Sequence, residues 1–381
     1  MAAGNFGSFS LMEPLSTKKS RRDRNMKESS RVSYMTEVME PQIWKSFPED
    51  LFEHVLARLP IATIIRFRVV CQQWNNLITS QGFSQHSCVQ VSQAIPWFYI
   101  TFEDNYRVMY DPFEERWYYD PNIFGIPILP VSSAGGLVCF FDFYYRDLYV
   151  CNSLTQCFKK LPAGSIKRWG RLGMTVNGIE GFKVLRLDDY VREYEIYDSV
   201  TKNWGHLAKV PECIKRPGYI SFNPVSIDDT LYFMQTRPTG IVSCNTSTGV
   251  WTQHLIQAPL YSSNLELAES GGQIMLVGLL TENNVTCVCI WKVQKVTFLL
   301  KEVDRRQFSE FRGKSVSLAC LGNKGLLLCY LTSNNMYYMV TYNVATRKWV
   351  KVCLPHGREP HAENRVLMHG TAFQPCLTAM P

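Results

Sequence analysis

From about residue 95 onward the apolar residues come in short runs of β type. WFYITF, GLVCFF, YEIYD, TLYFM, QIMLVGLL and LLLCYL are set apart by Gly, Pro, Asn and Asp. Residues 42–80 follow another period. In SFPEDLFEHVLARLP apolar positions recur at Leu51, Val55 and Leu59, with Phe52 and Leu56 one position on, which predicts a helix with a wide apolar face. Ser46 and Glu49 stand at capping-box spacing, and Pro48 is expected in the first turn, where no amide donor is needed. Pro60 ends this helix and can start the next, IATIIRFRVV. A third short helix holds Cys71, Trp74, Leu77 and Ile78 and stops near Gly82. Three helices in about 40 residues are marginal alone. Ile61, Ile64, Ile65, Phe67, Val69 and Val70 crowd too densely for one inward stripe, and excess apolar surface points to a partner. The other reading is a helical cap on the domain that follows.

The β region repeats. YDPFEERW, CNSLTQCF, YDSVTKNW, CNTSTGVW, WKVQKVTF and YNVATRKW share an aromatic or Cys, then usually Asp or Asn, then Trp or Phe six positions later. The closing aromatics are read as Trp117, Phe158, Trp204, Trp251, Phe298 and Trp349, at propeller-blade spacing. Asp111, Asn152, Asp198, Asn245 and Asn343 can bond back to their turn amides, and Thr155, Thr201, Thr248 and Thr346 can add a hydroxyl. The fifth copy has Lys292 at the acidic position, so a looser turn is expected there. Paired glycines, Gly135–Gly136 and Gly271–Gly272, precede the second strand of two blades. The final run, HGTAFQP, can close the ring against the first blade and remove both exposed edges. Six blades are expected.

With these elements in place, residues 42–80 resemble an F-box, through FPEDL (Phe47 to Leu51), VLARLP (Val55 to Pro60) and RFRVVCQQW (Arg66 to Trp74). The rest is similar to the kelch-like half of plant F-box/kelch-repeat proteins. The fold expected is a small all-α F-box of three helices followed by an all-β kelch-like propeller. Its divisions are a basic arm at 1–40, the F-box at 41–88, the propeller at 89–375 and a tail at 376–381. The resemblance implies the substrate-recognition subunit of an SCF-type ubiquitin ligase, without catalysis of its own. Its F-box would dock a Skp-type adaptor, and through it cullin and a RING subunit, while the propeller holds a protein substrate. Carried over by position, the adaptor contacts are Pro48, Leu51, Leu56, Leu59, Pro60, Ile64, Val70, Cys71 and Trp74. Gln72 departs from the usual Lys or Arg after the Cys.

Composition narrows the alternatives. At 46% hydrophobic and 19% charged, the chain has globular rather than disordered composition. The net charge of +7 is mild and does not call for nucleic acid. The 13 cysteines follow no disulfide framework and read as reduced thiols. No apolar run approaches the length of a membrane span, and no signal peptide is expected at MAAGNFGSFS. Lys18, Lys19, Arg21, Arg22 and Arg24 in the arm could form a nuclear-import patch, although such clusters are often only solvated tails, so the expected location is nucleus, cytoplasm or both.

Blade topology also predicts the recognition face. Links from one blade to the next leave on the face opposite the repeated turns, and long links are the usual setting for recognition residues. Four are read as basic: one with Lys167, Arg168, Trp169 and Arg171; one with Lys215, Arg216 and Tyr219; one with Arg305, Arg306, Phe308 and Arg312; and one with Arg358, His361 and Arg365. Arg beside aromatics suits an acidic or phosphorylated segment. A metal oxidase is the rival enzyme class, but the seven His are scattered, and only Cys353, His356 and His361 have a faint ligand-like spacing. Phosphate-binding and nucleophile-elbow motifs are absent. No cofactor is expected. A plain interaction scaffold is the remaining alternative.

Overall fold

The computed structural model describes residues 48–68, 70–78, 80, 83, 95–102, 106–119, 128–177, 181–215, 220–333, 336–354, 369–377 and 379–381. Two compact units divide the chain, with the boundary between Gln93 and Ala94.

The first unit contains three helices: α1 (Glu49–Leu56), α2 (Ile61–Phe67) and α3 (Gln72–Ile78). Proline begins two of them. Pro48 and Pro60 sit at the N-cap with extended ψ of 135° and 140°, and their carbonyls accept from Phe52 N and Ile64 N at 3.1 Å each. Pro48 is thus the cap itself, one position before the expected first turn, and no side chain caps this helix; Ser46 lies outside the described residues. The third helix is capped by sulfur, Trp74 N donating to Cys71 Sγ at 3.5 Å. Trp74 joins the helices, its ring centroid 5.2 Å from Phe52 and 4.8 Å from Phe67.

The second unit is a ring of six antiparallel sheets, each with its strands in chain order from the axis outward. Blade 1 comprises Trp97–Thr101, Arg107–Asp111 and Arg116–Tyr119, and its innermost strand is the C-terminal His369–Phe373. Blades 2 to 6 begin at Ile128–Ala134, Arg171–Asn177, Val225–Ile227, Ser262–Ser270 and Ser317–Asn323. Closure is thus made by the last strand, Phe98 pairing with Ala372 and Ile100 with Gly370, so that first and last strands of the ring meet in one blade.

The core lies between blades rather than at one centre. Blades 5 and 6 bury Val277, Leu279, Val288, Leu327, Cys329 and Val340 against one another. Blades 2 and 3 do the same with Cys139, Val150, Met174 and Val184. Alternate residues of each strand serve the layers on either side, so the strands read as continuous apolar runs. Gly135–Gly136 and Gly271–Gly272 have φ of +57° and +85°, and +57° and +72°; these mirror-image turns match the twist of the strands they join.

The repeated turn joins the third and outer strands of each blade. At all five Asx positions the side-chain oxygen accepts from the amides two and three residues on. For Asp111 these are Phe113 N and Glu114 N at 2.9 and 3.3 Å, and for Asn343 they are Ala345 N and Thr346 N at 3.0 Å each. Asn152, Asp198 and Asn245 make the same pair of bonds. The next residue turns left-handed, with φ from 51° at Glu115 to 70° at Gly249.

The fifth turn corrects the sequence alignment. Lys292 is still within a strand, and the turn begins two residues later, at Gln294. Its carbonyl accepts from Phe298 N at 2.9 Å, as that of Asn152 accepts from Gln156 N at 2.8 Å. Phe298 therefore occupies the left-handed place at φ 54°, and its ring stacks on His254 at 3.9 Å. Leu300, midway along the chain between Trp251 and Trp349, is the closing residue of blade 5.

The closing tryptophans bind each blade to the one before it. Trp117 Nε1 donates to Cys353 O at 2.8 Å, Trp204 Nε1 to Pro162 O at 2.7 Å, and Trp349 Nε1 to Asp304 Oδ2 at 3.0 Å. Trp251 instead meets the Tyr194 ring edge-on at 5.2 Å. Phe158 departs from the pattern and is 49% exposed, having no N–H with which to make that bond.

Candidate functional site

The adaptor-docking residues expected on the helical unit divide into two groups. Leu51 is 48% exposed and Val70 61%, and Pro48 and Cys71 are exposed too. Val55, one turn after Leu51 on the same face, is 49% exposed. Leu59, Pro60 and Trp74 are half-buried. Leu56 and Ile64 are each only 2% exposed, which corrects the expectation that they reach a partner: they fill the interior of this unit. Leu56 lies one residue round from the outward-facing Val55, and Ile64 is buried on α2 together with Ala62.

On the propeller, the face opposite the repeated turns carries the blade-to-blade links and the loops joining second and third strands. The link from blade 2 to blade 3 divides between surface and interior. Lys167 and Arg168 are exposed and Trp169 is half-buried at its end. Trp169 packs on the buried Phe141 at 4.5 Å and on Phe143 at 4.8 Å, and it stacks on Phe222 at 5.7 Å. Three blades thereby contribute to one aromatic ledge.

Arg171, three residues on from Arg168, is not a surface residue. It begins the inner strand of blade 3, donates from Nε to Ile220 O at 2.6 Å and pairs with Asp189 at 3.2 Å. Its guanidinium lies 3.7 Å from the centroid of the Phe222 ring, and burial holds its pKa below the usual arginine range. It is a floor for the ledge.

The third basic group is also corrected. Arg305 and Arg306 lie on the outer strand of blade 5, Leu300–Gln307, because that strand continues pairing through Cys287–Gln307 past a bulge at Ile290/Trp291. Arg305 is held by Glu302 through bonds of 3.0 and 2.9 Å. Arg306 lies over Phe308 and Trp349, 5.2 and 5.7 Å from their centroids. Phe308 is 4% exposed and belongs to the layer between blades 5 and 6. Arg216, Tyr219 and Arg358 lie outside the described residues.

A feature the residue patterns did not single out presents the ledge. Asp142 Oδ1 accepts from Tyr144 N and Tyr145 N at 2.8 and 3.2 Å, and Asp188 Oδ1 accepts from Tyr190 N and Val191 N at 3.0 and 3.2 Å. Each loop then ends on a left-handed arginine, Arg146 at φ 60° and Arg192 at φ 61°. Arg146 donates to Lys167 O at 3.2 Å, while Arg192 donates to Pro211 O and Ile214 O at 3.0 Å each. Blades 2 and 3 thus share one loop, Asp-x-Tyr-[Tyr/Val]-Arg, clamped to the next link. The match between DFYYR at 142–146 and DDYVR at 188–192 was the available signal.

An axial cavity of about 60 Å³ is lined by Ser133, Asn223, Glu269, Asn323 and Thr371 among others, room for a few waters. Among the described residues no cluster of three His, Cys, Asp or Glu side chains could hold a metal ion; His356 and His361 lie outside them. Burial raises the thiols of Cys139, Cys244 and Cys289 to about 12, which makes them poor nucleophiles.

Residues 44–86 match the F-box domain. The chain is 44% identical to F-box only protein 6 of Arabidopsis thaliana over 98% of its own length and 83% of that protein's. It is 23% identical to Protein UNUSUAL FLORAL ORGANS of Arabidopsis thaliana, covering 89% of this chain and 87% of that one. An F-box/kelch-repeat protein of the same plant is 37% identical over 30% of this chain and 29% of its own.

Proposed function

Since this chain belongs to the F-box proteins of plants, we propose that it is the substrate-recognition subunit of an SCF-type ubiquitin ligase. The F-box generally binds Skp-type adaptors. The observation that carries the reading here is the apolar exposure of the matched segment, Leu51 and Val55 one turn apart on α1 and Val70 after α2. Leu51, Val70 and Cys71 form the centre of the contact, with Pro48, Leu59, Pro60 and Trp74 around it. The propeller contributes a rigid face for the target protein and no catalytic chemistry. Ubiquitin transfer falls to the RING subunit and conjugating enzyme that cullin brings.

Affinity capture of the tagged full chain from plant cells tests this. Adaptor and cullin are expected to co-purify and to disappear when residues 42–80 are deleted, while propeller partners remain. Recovery of the same propeller partners with no adaptor or cullin from the intact chain would leave an interaction scaffold instead.

A further inference from the structure

The ledge on blades 2 to 4 has the features of a peptide-docking surface. Tyr144, Tyr145 and Tyr190 are 76%, 71% and 80% exposed, and Phe143, Val191 and Phe222 are nearly half exposed. Rings this open on a loop usually signify a mobile tip, but these are not mobile by construction. Each tyrosine loop is tied at its start by an aspartate and at its end by an arginine, as described above. The apolar surface is therefore displayed in a fixed shape, which lowers the entropy lost on binding.

Charge selects the occupant. Lys167 and Arg168 are exposed beside the rings and have no carboxylate partner among the described residues. Arg168 rests over the Tyr190 ring at 5.1 Å, which orients its guanidinium while leaving its N–H edge open. The nearby acids are already engaged: Asp189 with Arg171, Asp147 with Lys160 at 2.6 Å, and Glu195 with Ser165 N and Ile166 N at 2.8 and 3.0 Å. Open aromatic faces beside unpaired cations suit a ligand with a bulky apolar side chain flanked by carboxylates.

We propose that the ledge formed by Phe143, Tyr144, Trp169, Tyr190 and Phe222 with Lys167 and Arg168 docks an acidic linear segment of a partner protein, anchored by an aromatic or large aliphatic side chain. This rests on the receptor reading and names the class of target. A single-stranded nucleic acid is the rival occupant, since bases also stack on aromatics beside cations.

Four fluorescent probes titrated into the purified full chain decide it: a dodecapeptide with a central Phe among glutamates, the same with lysines, the glutamate peptide lacking Phe, and a single-stranded oligonucleotide. The Phe–glutamate peptide is expected to bind at least about tenfold more tightly than the other three. Lys167→Glu with Arg168→Glu is expected to weaken it about tenfold, and so is Tyr144→Ala with Tyr190→Ala, with melting temperature unchanged because all four side chains face solvent. Equal binding of the peptides, tighter binding of the oligonucleotide, no binding, or indifference to both variants overturns the proposal. Adaptor capture by the same preparation separates the two readings: if it persists while the peptide fails, only this inference falls.

Discussion

Asn152 donates from one amide nitrogen to the carbonyls of both Cys376 and Ala379, at 2.8 and 2.9 Å. Its oxygen meanwhile accepts from Leu154 N and Thr155 N, so one fully buried side chain closes the turn of blade 2 and secures the end of the chain. The strand that closes the ring, His369–Phe373, lies just before that segment. Asn152→Ala is expected to cost about 2–4 kcal/mol, from two lost donors and a lost turn acceptor. Asn152→Asp keeps the turn but faces a carboxylate toward two carbonyls, and should cost at least as much. Denaturant midpoints check both.

Stability should fall as pH rises from about 4.5 to about 7 because of Glu266. This residue sits on the inner strand of blade 5, two residues from the buried Ala268, and burial pushes its carboxyl up to about 7. The folded state therefore favours the neutral acid. Its contribution is complete below the ordinary value of 4.5 and is lost as pH rises through 7. Glu266→Gln should raise stability at pH 8 on the order of 1–2 kcal/mol and leave it nearly unchanged at low pH. Calorimetry across that range reads the difference.

Leu51 and Ile64 should separate docking from folding. Leu51→Glu places a charge on an exposed position, so circular dichroism should stay native while adaptor capture drops by more than tenfold. Ile64→Glu buries a charge without a partner and should cost about 3 kcal/mol or more, melting the helical unit.

At Gly370 the closing strand passes close to both neighbouring strands. A Cβ there would lie 2.6 Å from Tyr99 O and 2.8 Å from Leu321 Cδ1. Gly370→Ala is expected to cost about 1–3 kcal/mol by forcing the strand from blade 1. Faster amide exchange at residues 97–101 would locate the damage.

Helices and blade number were legible in the chain because each rests on short-range order, and ring closure because HGTAFQP is a strand-like run left over after the sixth turn. An Asx turn completes its hydrogen bonds within six residues, and an amphipathic helix shows its stripe within two turns. The fifth turn lies two residues beyond the place its letters suggest, because Phe298 stands at the spacing of a closing aromatic. Its left-handed backbone and its packing on His254 became visible only in three dimensions.

The binding face was less legible. Arg168 and Arg171 look alike as letters, yet one is on the surface and the other is a buried support, since their exposure is set by Asp189, Ile220 and Phe222 from other segments. Arg305 stays exposed but is engaged by Glu302 on its own strand, which runs on past a bulge.

Local hydrogen-bond chemistry and periodicity thus determined which residues form turns, strands and helices, and in what order. Folding into a ring decided which basic residues stay free and which rings meet, because Phe143, Trp169 and Phe222 come from separate blades and touch only once neighbouring sheets pack.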